Sequence, residues 1–206
     1  MTALIIGGGV LCDAKKVLVK IVDYNADLII ACDSGYDNAQ KLGIKPQVVV
    51  GDLDSVSSEI IDTEIIQLQP EKDDTDMRVA VDLAISKQCE NITILCATGG
   101  RLDHFYANMS ILEYLDKQGI DAVIMDEQNV ITVSKKGKTA YKNISKYVSI
   151  IPIDEKIVLT TENMKYEVQN LEVFRDNMVS ISNESLENTF SLDISNGKAF
   201  VIQSDN

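Results

Sequence analysis

Through its first 125 residues the chain alternates short β-type apolar runs with segments of helical periodicity, and past about residue 127 the helical segments stop. This change of pattern limits the fold more than any single motif does. Strands are predicted near 2–6, 28–31, 47–51, 64–68, 92–97 and 121–125. Between them, Ser34 to Leu42 reads as a helix closed by Gly43, with Pro46 beyond it. Met77, Ala80, Val81, Ala84 and Ile85 repeat at amphipathic spacing behind Thr75 as N-cap. Phe105, Met109, Leu112 and Leu115 make a third helix, capped by Asp103 and stopped near Gly119. Such alternation predicts a three-layer α/β domain over residues 1–126, with a largely parallel sheet between helical layers.

Residues 127–206 read differently. Runs at 130–133, 147–151, 157–159, 168–174, 179–181, 189–194 and 199–203 are short and β-type. Turn-prone segments such as Lys136-Gly137, Asp176-Asn177 and Ser195-Asn196-Gly197 separate them. Many short strands with frequent turns predict an antiparallel β-sandwich domain, the boundary falling in Asp126-Glu127-Gln128-Asn129.

With 206 residues, 45% of them hydrophobic, the chain can bury one good core or two small ones. No apolar run reaches membrane-spanning length, and the opening run at 2–6 lacks the basic lead of a signal peptide. The four cysteines (Cys12, Cys32, Cys89, Cys96) have no metal-ligand spacing and are expected to be reduced packing residues of a cytoplasmic protein. A net charge of −13 argues against nucleic-acid binding, which needs a basic surface. It leaves a nucleotide open, because bound magnesium reverses the local electrostatics of carboxylates.

The aspartates are the chemical signal. Asp33, the Asp52/Asp54 pair, the Asp73/Asp74/Asp76 group and the segment Thr98-Gly99-Gly100-Arg101-Leu102-Asp103-His104 each follow a predicted strand. In an open α/β sheet the carboxyl ends of the strands share one edge, where ligands bind. Several carboxylates meeting there need a cation among them, and a divalent ion on phosphates is the natural candidate. Three aspartates within 73–76 exceed what capping a helix needs, which assigns Asp76 and Asp73 to metal or nucleotide binding. Arg101 reads either as a phosphate-binding fork or as the ion-pair partner of Asp103. His104, the only histidine, reads either as a proton-transfer residue or as a helix-start side chain held by hydrogen bonds. Gly7-Gly8-Gly9 follows the first strand and reads either as backbone N–H groups approaching a phosphate or, the better reading, as a tight turn; it lacks the full dinucleotide fingerprint, which disfavours an oxidoreductase.

In this order and spacing, Asp33-Ser34-Gly35, Gly51-Asp52-Leu53-Asp54-Ser55, Lys72-Asp73-Asp74-Thr75-Asp76 and 98–104 resemble the thiamine pyrophosphokinase family. Residues 147–152, Met164-Lys165-Tyr166 and 180–184 are similar to segments of that family's C-terminal β domain, so the likeness spans the chain. The resemblance implies transfer of pyrophosphate from ATP to the hydroxyl of thiamine, with Mg2+ as cofactor. It implies metal ligation by Asp33, Asp52, Asp54 and Asp76, and catalytic roles for Asp54, Asp76, Arg101 and Asp103. ATP contacts are then expected from Asp33, Lys72, Asp73, Thr75, Gly99, Gly100, Arg101 and His104. Thiamine contacts are expected from Tyr166, Ser182 and Asn183, in a homodimer whose active sites lie at the subunit interface. Asn163 and Glu167 depart from the glycine and proline of many relatives, and Tyr166 stands where some carry tryptophan. The residues leave open whether Tyr166 stacks on thiamine or packs in the core, and whether Asp54, Asp76 or Asp103 is the base. Two alternatives are a hydroxymethylpterin pyrophosphokinase of the same fold and a non-catalytic thiamine- or nucleotide-binding protein.

Overall fold

The computed structural model describes residues 1–69 and 74–205, forming two compact units, Met1–Glu127 and Gln128–Asn206. In the first unit β1 (Thr2–Ile6), α1 (Ala14–Lys20), β2 (Leu28–Cys32), α2 (Gly35–Leu42), β3 (Val48–Gly51) and β4 (Glu64–Gln67) are followed by α3 (Asp76–Ser86), β5 (Asn91–Leu95), α4 (Leu102–Lys117) and β6 (Asp121–Met125). The strands lie side by side in the order β4-β3-β2-β1-β5-β6, and every pairing is parallel. β1 explains why: Ala3, Ile5 and Ile6 are fully buried, and successive residues face opposite sides of a strand. A strand apolar on both faces needs cover on both. On one face Leu4, Ile6 and Leu95 pack with Val17 of α1 and Ala39 and Leu42 of α2.

Local signals end the helices where the sequence places them, with one exception. The Thr75 hydroxyl accepts from Arg78 N at 3.2 Å, and Gly43 closes α2 in the left-handed conformation. Asp103 is not the cap of α4; that position is Arg101, and Asp103 sits in the first turn, bonded to Arg101 and to His104 N. β5 stops at Leu95 because Cys96 turns to φ 52°. α1 was not predicted; only Val17 of its seven residues is buried, so no apolar period marks it.

In the second unit β7 (Asn129–Val133), β8 (Gly137–Lys142), β9 (Tyr147–Pro152), β10 (Lys156–Glu162), β11 (Leu171–Phe174), β12 (Thr189–Asn196) and β13 (Ala199–Ser204) make two antiparallel layers, β7-β13-β9 and β11-β10-β12-β8. Val148, Ile150 and Val201 from one layer share a core with Ile157, Leu159, Phe190, Leu192 and Ile194 from the other. This is the predicted sandwich. Two details differ from expectation. The run at 179–181 is not a strand, and Ser182 breaks the extended path at φ 56°. β8 begins where a turn was read, because its residues alternate half-buried and exposed and carry few apolar groups.

Candidate active site

The strand order of the first unit reverses at the β1/β5 pair, with β2, β3 and β4 on one side and β6 on the other. At such a switch point neighbouring loops leave the carboxyl edge in opposite directions and a crevice opens. A cavity of about 640 Å³ lies there, lined by residues 7–10 after β1, 32–34 after β2, 74–77 at the start of α3, and 96–101 with His104 after β5.

Three of the predicted metal carboxylates meet beside it. Asp33, Asp52 and Asp54 each offer an oxygen, all within 4.8 Å of one another. Two left-handed residues make this possible: Asp33 itself at φ 50° and Leu53 at φ 67°. That conformation costs a β-carbon residue roughly 1–2 kcal/mol. Leu53 is held in it by packing against the buried Ala31, Tyr36 and Val49. Gly51 lets the end of β3 close on Asp33, since a Cβ there would lie 3.0 Å from Asp33 Cβ. The turn folds back so that Asp54 N donates to Asp52 Oδ1 at 3.3 Å. Asp37, which the sequence reading did not single out, accepts from Ser57 N and Ser58 N at 2.9 Å each and tethers the loop from α2. Bonds from Ser58 and Ser57 lower its own pKa.

The group fits a hard divalent cation. Asp54 is pushed up from the usual carboxylate range, chiefly by the charge of Asp52, then by desolvation, with Asp33 and Asp76 adding to it. Asp33 Oδ1 is buried with no hydrogen-bond partner among the described residues, while its other oxygen accepts from the Ser55 hydroxyl. An all-oxygen set carrying excess negative charge and an unsatisfied acceptor is what magnesium or calcium takes. Asp76 stands outside this three-oxygen group but lines the cavity with Thr75.

On the opposite wall, Gly99, Gly100, Arg101 and His104 all line the cavity. Arg101 is paired with Asp103 through two bonds, of 3.1 and 2.6 Å. The Arg101 bond holds the Asp103 carboxyl down at about 2. Asp103 itself is not among the lining residues. Lys72 and Asp73 lie outside the described residues. Sequence reasoning names several groups of the cavity without assigning them a contact there. Gly7-Gly8-Gly9 forms a wall and not merely a turn, Ser34 lines it, and Thr98 donates to the buried Asp126 at 2.5 Å. An acidic or glycine-rich strand end was the available signal for the first of these; Asp126 had none beyond closing β6.

The second unit brings Tyr166, Ser182 and Asn183 together. Tyr166 is 64% exposed, so it is not a core aromatic. Asn183 Oδ1 accepts from Tyr166 N at 3.0 Å and its Nδ2 donates to Tyr166 O at 2.9 Å, a two-point clamp on the backbone. Asn183 is fixed in turn by a bridge to Val148, while Ser182 N donates to Ser149 Oγ at 3.0 Å. Lys165 and Glu184 pair at 2.8 Å alongside. No described helix is long and apolar enough to cross a membrane.

Residues 20–124 match the family model for the thiamin pyrophosphokinase catalytic domain, and residues 128–199 match that for the thiamin pyrophosphokinase vitamin B1 binding domain. The chain is 30% identical to the thiamine pyrophosphokinase of Bacillus subtilis (strain 168) over 214 residues, covering 98% of each. It is 27% identical to thiamin pyrophosphokinase 1 of Caenorhabditis elegans over 176 residues, 78% of this chain and 71% of that one. The crystal structure of the Bacillus subtilis protein aligns at a TM-score of 0.88 with 28% identity over 100% of both chains. That of thiamin pyrophosphokinase from Geobacillus thermodenitrificans gives 0.84 with 28% identity, over 100% and 98%.

Proposed function

Since the chain belongs to the thiamine pyrophosphokinase family, we propose that it transfers the pyrophosphoryl group of magnesium-bound ATP to the hydroxyl of thiamine, giving thiamine diphosphate and AMP. One observation carries the assignment of the site: the three-aspartate group stands at the edge of a cavity at the sheet's switch point. The cavity takes the nucleotide, whose phosphates meet the adjoining loops after β1 and β5. Asp33, Asp52 and Asp54 would hold the magnesium ion, which, when bound, draws negative charge from the phosphate oxygens. Arg101, which lines the cavity beside Asp103, offers a positive group to the phosphates. Thr75 and His104 border the same space.

The hydroxyl oxygen of thiamine attacks the β-phosphorus in line, the bond from that phosphorus to the bridging oxygen of the α-phosphate breaks, and AMP leaves. The hydroxyl proton needs an acceptor. Asp103 is withdrawn from that role by Arg101, which holds it at about 2. Asp54 belongs to the cation group, and a carboxylate bound to a cation is a weak base. Asp76, lining the cavity outside that group, is the carboxylate we assign as base.

We place thiamine against Tyr166, whose exposed ring suits a flat cation. Asn183 then serves by clamping Tyr166, and Ser182 lies beside it. The enzyme is proposed to be a homodimer in which the second unit of one subunit completes the site on the first unit of the other. Exposed apolar groups on the chain segment that carries Asn183, namely Met178, Val179, Ile181 and Leu186, support a covered face. Cys12, Cys32, Cys89 and Cys96 are all free thiols, which supports a cytoplasmic location.

The test is AMP release from ATP and magnesium with thiamine, run beside a hydroxymethylpterin. AMP formed only with thiamine is expected. AMP formed only with the pterin would transfer the site to the other substrate, and binding of both ligands with no AMP would make the protein a sensor.

A further inference from the structure

The cavity reading gives a role to a residue that does not line the cavity. Asn38, one turn into α2, is 5% exposed and fully engaged. Its Nδ2 donates to Gly7 O at 2.9 Å and to Gly9 O at 2.8 Å, and its Oδ1 accepts from Lys41 Nζ at 3.4 Å. A carboxamide has two N–H donors, so both go to carbonyls of one three-residue loop. The N–H groups of Gly7 and Gly9 point the other way, to Leu95 O and Cys96 O at 2.9 and 2.8 Å. The loop is therefore held from both sides. Gly9 is seated backbone on backbone against the neighbouring loop after β5, since a Cβ there would lie 2.4 Å from Cys96 O and 2.6 Å from Thr98 O.

We infer that Asn38 is a positioning residue for the nucleotide: it holds the Gly7 and Gly9 carbonyls away from the cavity, keeping two negative dipole ends off the phosphates. The inference rests on reading the cavity as the ATP site. Without the carboxamide, the buried Gly7 carbonyl and the half-buried Gly9 carbonyl lose their donor, and a buried acceptor does not stay unpaired. The nearest replacement is water in the cavity, so the carbonyls turn toward the place the phosphates occupy. Because Gly9 abuts Cys96 and Thr98, the wall carrying Gly99 to Arg101 shifts with them.

Asn38→Asp keeps the size of the side chain but replaces its donors with an acceptor, and Asn38→Ser keeps one donor on a shorter arm. The expected result for Asn38→Asp is an ATP KM raised about tenfold, with thiamine KM and kcat at saturating ATP changed less than about twofold. Asn38→Ser is expected to move ATP KM in the same direction by a smaller factor. A purely structural role would lower the melting temperature and leave all three constants of the folded enzyme unchanged, which would overturn the inference. A wild-type measurement stands apart from folding of the variants: on adding Mg-ADP, the amide signals of Gly7, Gly8 and Gly9 and the Asn38 side-chain signals are expected to shift. If ADP binds and these signals stay still, Asn38 has no such role even though the ATP reading survives. If the wild-type protein binds no adenine nucleotide, the ATP reading itself falls.

Discussion

The two units place functional side chains by different means. In the first, the acidic residues sit where parallel strands end, and backbone geometry fixed by the sheet puts them there: Asp33 after β2, Asp52 and Asp54 after β3. In the second, Tyr166 and Asn183 lie in irregular chain between β10 and β12, and side-chain to backbone bonds do the holding. A site made by strand ends can crowd like charges, because the core beneath keeps the ends together whatever the charges prefer. A site made by a clamp depends on the clamp. Changes in the first unit should therefore alter chemistry with little loss of stability, and changes in the second should alter the hold on one substrate.

The largest effect is expected at the crowded carboxylates. Asp52→Asn and Asp54→Asn should each lower kcat on the order of 10²-fold or more, as expected for loss of charge stabilisation at the reacting phosphate. Thermal melting should stay level or rise, because Asp54 is pushed up by its neighbours and repulsion is relieved when a charge goes. Activity assays across a magnesium titration, with calorimetry alongside, check both halves. Near-normal turnover in the double variant at saturating magnesium would end the metal assignment; a large drop in melting temperature would end the contrast between the units.

Next in size is complementation between subunits. Asp76→Asn removes the proposed base of the first unit and Asn183→Ala loosens the clamp of the second, so at thiamine well below its KM each variant alone should show little activity. If the site is shared across a twofold dimer, a hybrid carries one intact site of its two and should show about half the wild-type activity per dimer. Purified hybrids with no recovery would mean that each subunit makes its whole site alone.

These differences also explain what the sequence disclosed. Buried parallel strands such as β1 and β3 write themselves as continuous apolar runs, and an aspartate or glycine just after each marks the edge that binds ligands. That made the acidic group readable before any coordinates. α1 was missed because its seven residues bury only Val17, and β8 because an edge strand of half-buried polar residues has no apolar alternation. Gly7-Gly8-Gly9 was read as a turn, since which loop borders the switch point depends on the strand order, a long-range property. The clamp on Tyr166 was invisible for a similar reason. Seventeen positions separate Asn183 from the backbone it holds.

A smaller effect is expected from the aromatic. Stacking on a cation contributes on the order of 0.5–2 kcal/mol, so Tyr166→Ala should raise thiamine KM up to about tenfold or somewhat more, with ATP KM nearly unchanged. Tyr166→Phe should be mild, because the ring carries the contact. At 64% exposure the residue contributes little to the core, and melting should barely move. Steady-state kinetics on both substrates decide it. A marked loss of stability with thiamine KM intact would show that Tyr166 serves the fold instead.

The smallest effect separates the clamp from the ion pair beside it. Lys165 and Glu184, beside Tyr166, pair with each other at 2.8 Å, but both side chains are substantially exposed, and exposed pairs hold geometry weakly. Glu184→Gln should change thiamine KM less than about twofold, while Asn183→Ala, which removes both bonds to the Tyr166 backbone, should change it several times more. The pH dependence follows from the same pair. Lys165 lowers the pKa of Glu184 from its ordinary 4.5, and Glu184 raises that of Lys165 from 10.5. A lowered carboxylate contributes fully above its unfolded value and loses the contribution as pH falls through the folded one. A raised lysine contributes fully below its unfolded value and loses it as pH rises through the folded one. Between pH 5 and pH 10 neither group of this pair changes charge, so it adds no slope to thiamine KM across that window. A pH profile of thiamine KM in Glu184→Gln that matches wild type is the expected outcome. If the variant instead lost affinity as strongly as Asn183→Ala, the charge pair and not the carboxamide would be what holds Tyr166 in place.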